Sequence, residues 1–258
     1  MQDLKVSLVQ ANQIWEDKTA NFTNYLRLLK DVQTDLIILP EMFNTGFSMN
    51  VEILGEEWST SPSIQWLKEL AAHHQAAVYT SLIIKDEDKF YNRGVFVHPS
   101  GKINSYDKRK SFSLAKEDLF FTEGVKEVIV EYKEWKIQLQ ICFDLRFPEI
   151  VRNELDNDNL PKYDLILYIA NWPEKRISHW DSLLTARAIE NQSYVAGVNR
   201  IGTDENNLDY CGHSTAISAL GSELLSKNDA ESVKTIVLSS ESLKKVRKTL
   251  PFLYKRLF

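Results

Sequence analysis

Leu36 to Leu39, inside the stretch DLIILPE, form an unbroken aliphatic run of strand length. A strand wetted on one face alternates apolar and polar residues. A continuous apolar run reads instead as a strand buried on both faces. Something must therefore cover each side of it. DLILYIANWP repeats the pattern from Asp164 to Pro173. Segments of helical period lie between such runs. Residues 18–32 carry Phe22, Tyr25, Leu26 and Leu29 at helical spacing, and residues 62–75 suit a helix with Pro62 in its first turn. Residues 177–192 place Trp180, Leu183, Leu184 and Ala188 on one face.

Other strands are set up as hairpins. AAVYTSLIIK and YNRGVFVHPSG flank the polar turn 86–89, and VIVEY and WKIQLQIC flank Lys133-Glu134. Pro99-Ser100-Gly101 turns the chain into KINSYDK, and VSLVQA, SYVAGVNRI, HSTAISALG and TIVLS read as further strands. Hairpins demand antiparallel neighbours, so the expectation is an α/β fold with mixed rather than purely parallel sheets. Residues 154–162 and 202–212 are polar and read as surface loops. The tail ESLKKVRKTLPFLYKRLF reads as a basic helix broken before Pro251. With 258 residues, no linker and no repeat, the chain is expected to be a single domain spanning 1–258.

Composition narrows the function. A net charge of −5 gives no bulk support for a nucleic-acid partner. No apolar segment approaches the ~20 residues of a membrane helix, and MQDLKVSLVQ lacks the features of a signal peptide. Cys142 and Cys211 do not make a disulfide framework, which suits a reducing, cytoplasmic setting where a thiol stays free. There is no H-E-x-x-H, no Cys/His cluster at metal spacing and no Gly-rich phosphate loop, so neither metal nor cofactor is expected.

Four polar features sit at or just past strand ends: Glu41, Lys108, Cys142 and Asn171-Trp172. Cys142 ends the alternating run Ile137–Ile141 and falls on its Gln138/Gln140 side. Free cysteines are often buried and inert. Here the strand leads toward a helix opened by Pro148, and a thiol at such an elbow would meet backbone N–H groups and a helix dipole that favour thiolate. A nucleophile also needs a base. None of the five histidines lies in a cysteine-protease signature. Glu41 emerges from a buried run, and burial raises a carboxylate toward the range of a general base. Lys108 lies in YDKRKSF, read either as a solvated basic cluster or as a fixed cation beside a developing oxyanion.

These segments resemble the nitrilase superfamily of carbon–nitrogen hydrolases, whose members use a Glu-Lys-Cys triad. LPEMFNTGF, YDKRKSF and ICFDLRFPE resemble the segments that carry it, here Glu41, Lys108 and Cys142. AKEDLFFTEG resembles the segment of a second, substrate-orienting glutamate, here Glu117. HWDSLLTARAIENQ and GHSTAISALGSEL match two further blocks in the family's order. YDKR, ANWPEKRISHW and ARAIENQSYVAGVNR are similar to bacterial omega-amidases in particular. Lys110-Ser111 depart from the His and Leu common ahead of the Phe in the Lys segment.

The resemblance implies a four-layer α-β-β-α sandwich, a homodimer, and hydrolysis of the terminal amide of short dicarboxylic monoamides such as 2-oxoglutaramate and succinamate. The alternative is an N-carbamoyl amidohydrolase or a nitrilase using the same triad. The backbone N–H of Phe143 would help Lys108 hold the oxyanion. Arg146 and Arg176 are the candidate grips for a substrate carboxylate, and Trp172 a pocket wall. Arg187 is expected to pair with a buried acid, and Cys211 to be incidental.

Overall fold

The structure is a computed structural model and describes residues 1–254. In chain order it contains β1 (Leu4–Gln10), α1 (Lys18–Leu29), β2 (Leu36–Ile38), α2 (Val51–Leu54), β3 (Glu56–Glu57), α3 (Pro62–His74), β4 (Ala77–Asp86), β5 (Lys89–Val97) and β6 (Ile103–Asp107). Then come α4 (Glu117–Phe120), β7 (Ile129–Tyr132), β8 (Trp135–Ile141), β9 (Leu165–Ala170), α5 (Ile177–Asn191) and β10 (Tyr194–Asn199). The chain continues with β11 (Ile201–Thr203), β12 (Asp209–Cys211), β13 (Thr215–Ile217), β14 (Ser232–Leu238) and α6 (Ser240–Thr249).

Two mixed sheets result. The first runs β14-β1-β2-β4-β5-β6, with β3 paired to β4; the second runs β13-β10-β9-β8-β7. In each, the central strands are parallel (β1, β2 and β4; β8, β9 and β10) and the flanks antiparallel. The central strands read as unbroken apolar runs because both faces are covered. Leu4, Val6, Leu8, Tyr79 and Phe96 of the first sheet share a core with Ile137, Leu139 and Ile141 of the second. On its other face the first sheet packs Val9, Ile37, Leu39 and Val78 against Tyr25 and Leu29 of α1 and Leu67 and Ala71 of α3. The second sheet's outer face takes α5. A Cβ at Gly197 would lie 2.6 Å from Leu184 Cδ1 and 2.8 Å from Trp180 Cζ2, so only glycine lets that helix seat. The layers are helix, sheet, sheet, helix, as the resemblance implied.

Local chemistry explains the element ends. The Asp17 side chain accepts from Ala20 N and caps α1, and Ser61 accepts from Ile64 N ahead of Pro62 at the start of α3. The hairpin between β7 and β8 turns at Lys133 and Glu134, at φ 50° and 65°, a conformation that matches strand twist.

Two expectations need correction. Pro148 opens no α-helix. Cys142–Arg146 and Pro148–Val151 form two separate 3₁₀ turns. Phe147 precedes a proline, is barred from the α region, and sits at φ −114°, ψ 86°, which keeps the turns apart. Residues 202–212 are not simply a surface loop. β11 and β12 pair as a ribbon, and Asp204 accepts from Asn206 N, Leu208 N and the Tyr210 hydroxyl, so the polar residues serve their own turn. Tyr210 is buried as a result. Finally, α6 ends before Pro251 as read, but residues 255–258 of the basic tail lie outside the described residues.

Candidate active site

The predicted residues converge where strands of both sheets end. Glu41 lies just past β2, Lys108 follows β6, and Cys142 follows β8. Lys108 Nζ donates to Glu41 Oε1 at 2.9 Å and to both carboxylate oxygens of Glu117, each at 2.9 Å. Glu41 and Glu117 have no exposed surface, and Lys108 is 3% exposed. The basic run of YDKRKSF is therefore not a solvated face at Lys108. Its neighbours serve backbone instead: the Arg109 guanidinium donates to the carbonyl of Ile150, and Lys110 N donates to Asp144. At the departure Lys110-Ser111, the ammonium of Lys110 lies 5.1 Å from the Phe147 ring and Ser111 N donates to Glu123.

Glu41 is held from several directions. Asn171 N donates to its Oε2 at 2.9 Å, and the Asn171 amide donates to its backbone carbonyl at 2.7 Å. Asn92 Nδ2 donates to its Oε1 at 2.8 Å. Glu117 accepts only donors: Lys108, Asn92 and the backbone N–H of Phe112. Burial pushes its carboxyl up, Lys108 opposes that and the charge of Glu41 adds to it, so it stays above the ordinary carboxylate range although every contact is a donor.

The thiol departs from the expected conformation. Strand parity places Cys142 on the Gln138/Gln140 side, yet its φ is +45°. That left-handed turn ends the alternation, and the thiol points toward the Asn171 carbonyl at 4.0 Å, within the field of Glu41. Nor is the thiolate favoured at rest. Burial pushes the Cys142 thiol well up, the charge of Glu41 adds to this, and Lys108 only partly offsets it. A 3₁₀ turn of five residues supplies little macrodipole. At rest the group beside Glu41 is a neutral thiol.

Cys142 lies at the floor of a cavity of about 570 Å³. Glu41, Lys108 and Glu117 form the layer beneath it. Phe143, Arg146, Trp172 and Arg176 all line the cavity, so the arginines that sequence offered as alternatives share one wall. Neither forms an ion pair among the described residues. Arg146 lies over the Trp172 ring at 4.7 Å and meets His179 Nδ1 at 3.3 Å, and Arg176 lies over Phe112 at 5.1 Å. Burial and the neighbouring charge of Arg176 both pull the Arg146 guanidinium down. Trp172 is 2% exposed, and its indole N–H donates to the Arg176 carbonyl at 2.8 Å, so it fixes the loop that carries that arginine.

Sequence reading passed over two contributors. Asn92 touches both carboxylates, and Tyr210 lines the cavity from the β11–β12 ribbon. Asn92 left one trace, an amide on the inward side of an apolar strand. Arg187 does not meet the buried acid expected of it. It pairs with part-exposed Glu190 at 3.0 Å and donates to the Leu145 carbonyl at 2.6 Å, tying α5 to the turn of Cys142.

Comparison with known proteins places the arrangement. A family model of carbon-nitrogen hydrolases matches residues 5–248. The chain belongs to the carbon-nitrogen hydrolases of the nitrilase superfamily. This carbon-nitrogen hydrolase is 40% identical over 253 residues to the omega-amidase YafV of Yersinia enterocolitica, covering 97% of this chain and 96% of that one. It is 32% identical over 221 residues to the 2-oxoglutaramate amidase of Bacillus subtilis strain 168, covering 84% and 83%. Its fold matches XC1258 from Xanthomonas campestris, a CN-hydrolase superfamily protein whose crystal structure carries an arsenic adduct in the active site. That match has a TM-score of 0.96 at 37% identity, over 99% and 97% of the two chains. Among the described residues, no helix is long and apolar enough to cross a membrane.

Proposed function

We propose that this hydrolase is an omega-amidase. It removes the terminal amide of short dicarboxylic monoamides such as succinamate and 2-oxoglutaramate, as ammonia, through a thioester on Cys142. The observation that carries this reading is the cavity itself: a neutral thiol above a buried Glu-Lys pair at one end, and two guanidinium groups without carboxylate partners on the wall. A carboxylate-bearing amide matches both ends. Arginine grips carboxylate in a bidentate, charge-assisted geometry.

The steps follow from the charges. Because the thiol rests protonated, its proton leaves as the S–C bond forms, and Glu41 takes it. The tetrahedral oxyanion is stabilised by Lys108 and by the N–H of Phe143, which lies in the first turn of its 3₁₀ segment and has no intrahelical acceptor. The C–N bond breaks as Glu41 returns the proton to nitrogen, releasing ammonia and leaving the thioester. Water then attacks the thioester carbon while Glu41 takes its proton, and the thiol is regenerated as the carboxylic product departs. Glu117 faces Lys108 rather than the cavity, so its part in this reading is to hold the ammonium in place. The proposal includes a cytoplasmic homodimer, which suits a free nucleophilic thiol in a reducing compartment.

An ammonia-release screen over succinamate, 2-oxoglutaramate, N-carbamoyl-β-alanine and a simple nitrile tests the reading, with Cys142→Ala as blank. Release from the two monoamides, absent in the blank, is expected. Activity confined to the carbamoyl compound or the nitrile would overturn it in favour of an N-carbamoyl amidohydrolase or a nitrilase.

A further inference from the structure

Two carboxylates and one ammonium share a site without solvent, leaving one negative charge in excess. Lys108 contacts Glu41 and Glu117, yet Coulomb repulsion still pushes those two carboxylates apart. Asn92, on β5, stands between them. Its Nδ2 donates to Glu41 Oε1 at 2.8 Å and to Glu117 Oε1 at 3.1 Å. Its backbone carbonyl accepts from Lys108 N at 3.0 Å. One residue therefore fixes the main chain of the cation and the head groups of both anions. Asn92 is 1% exposed, and its Oδ1 is buried without a hydrogen-bond partner. A buried orphan acceptor is costly, and a fold that keeps one usually needs the other end of the same side chain.

Resting on the amidase reading, we propose that Asn92 is a positioning residue of the reaction. Its amide bridges the two carboxylates, so that both stay ionised and Glu41 keeps an oxygen turned to the thiol. It does not touch the substrate, since Cys142 and not Asn92 reaches the cavity. The charged and titratable groups around it are Glu41 after β2, Lys108 after β6, Glu117 on α4, Cys142 after β8, Tyr79 on β4 and, more distantly, Asp144. Of these, the carboxylate pair responds to Asn92 directly. A donor to the charged form favours it, so removing that donor favours protonation of the pair. Enzyme that has protonated there lacks its base.

The test uses Asn92→Leu, close in shape but without donors, and Asn92→Ser, whose hydroxyl reaches at most one carboxylate. Kinetics are run from acid to alkaline pH on whichever amide the wild type hydrolyses, beside Cys142→Ala and thermal melts. Asn92→Leu is expected to lose about 10- to 100-fold in kcat, the range that follows from removing a hydrogen bond to a charged group. Its KM should stay within a few fold, and the acidic limb of kcat/KM should move to higher pH. Asn92→Ser should fall between it and the wild type, which also covers the case in which Asn92→Leu fails to fold. An unmoved acidic limb in both variants, or a kcat loss no larger than the loss of folded enzyme, would overturn the role. Failure of the amidase reading is separate, because it appears in the wild type and in Cys142→Ala.

Discussion

Replacing Lys108 with methionine should unfold this protein in a pH-dependent way. The substitution keeps most of the stem and deletes the ammonium. It removes three contacts of 2.9 Å and leaves two carboxylates with no exposed surface and no counter-ion. Breaking a buried ion pair by removing one partner costs about 3–5 kcal/mol. With two carboxylates stranded, the upper part of that range is expected at neutral pH. For a chain of this length each kcal/mol moves the melting midpoint by about 2–4 °C, so a loss of about 4–5 kcal/mol should lower the midpoint by about 8–20 °C.

The pH dependence has a definite sign. In the variant the carboxylates gain no charge partner, so burial holds them above their unfolded value of about 4.3. Groups raised in this way favour the native state below the unfolded pKa, and that stability is lost as pH rises through the native one. The deficit should therefore shrink markedly between pH 7.5 and pH 5. Asp144 and Glu117, whose carboxyls burial raises, give the wild type part of the same trend, so the sign is read from the difference between variant and wild type. Burial pulls Lys108 down, but Glu117 and Glu41 outweigh it and hold the ammonium above the ordinary lysine range, so it stays charged across that window. Urea unfolding at both pH values, with the double variant carrying Glu117→Gln, is the assay. Glu117→Gln should recover part of the loss by removing one stranded charge. An equal deficit at both pH values, or no recovery in the double variant, would refute the electrostatic account.

Other expectations follow from the same structure. Arg146→Ala and Arg176→Ala should each raise KM for succinamate by about 10- to 100-fold with kcat little changed, as a hydrogen bond to a charged group is worth about 1.5–3 kcal/mol. Steady-state kinetics check this, and an unchanged KM in either removes that arginine from the carboxylate site. Asp144 accepts from Ile141 N, Lys110 N and the Tyr106 hydroxyl, and burial pushes its carboxyl from 3.8 up to about 7. That raised group favours the native state at low pH and loses the advantage as pH climbs from about 4 through 7, so the stability deficit of Asp144→Asn should be smaller at pH 8 than at pH 5 in urea unfolding. Gly197→Ala should cost about 1–3 kcal/mol by overpacking Leu184 and Trp180. On the proposed amidase reading it should lower kcat as well, because α5 carries Arg187, which holds the Leu145 carbonyl in the turn of Cys142.

Some of this architecture was legible in the chain because its causes are local. Leu36–Leu39 declared a strand covered on both faces, and Lys133-Glu134 declared a hairpin, since period and turn chemistry act within a few residues. Glu41 and Cys142 stood out as polar residues at the ends of apolar strands. The rest depended on distance. Asn92 meets partners 51 and 25 residues away, and its place on the inward side of YNRGVFV names neither of them. Lys108 and Glu117 sit in charged runs that resemble solvated faces. Only the approach of β5, β6 and α4 buries them together, and it was the family's pattern that singled them out. Parity counting does not give the direction of the Cys142 thiol, because it assumes extended backbone and the chain turns left-handed at that residue. Tyr210 was lost among polar neighbours that serve the turn beneath it.

The central claim is that Cys142 carries the acyl group. Rapid acid quench of the enzyme turning over succinamate, followed by peptide mass spectrometry, measures this directly. The account predicts an increase on the Cys142 peptide equal to the substrate less ammonia, formed before product accumulates and absent in Cys142→Ala. Ammonia release of one equivalent or more with no adduct on Cys142, in a quench fast enough to precede turnover, would contradict it.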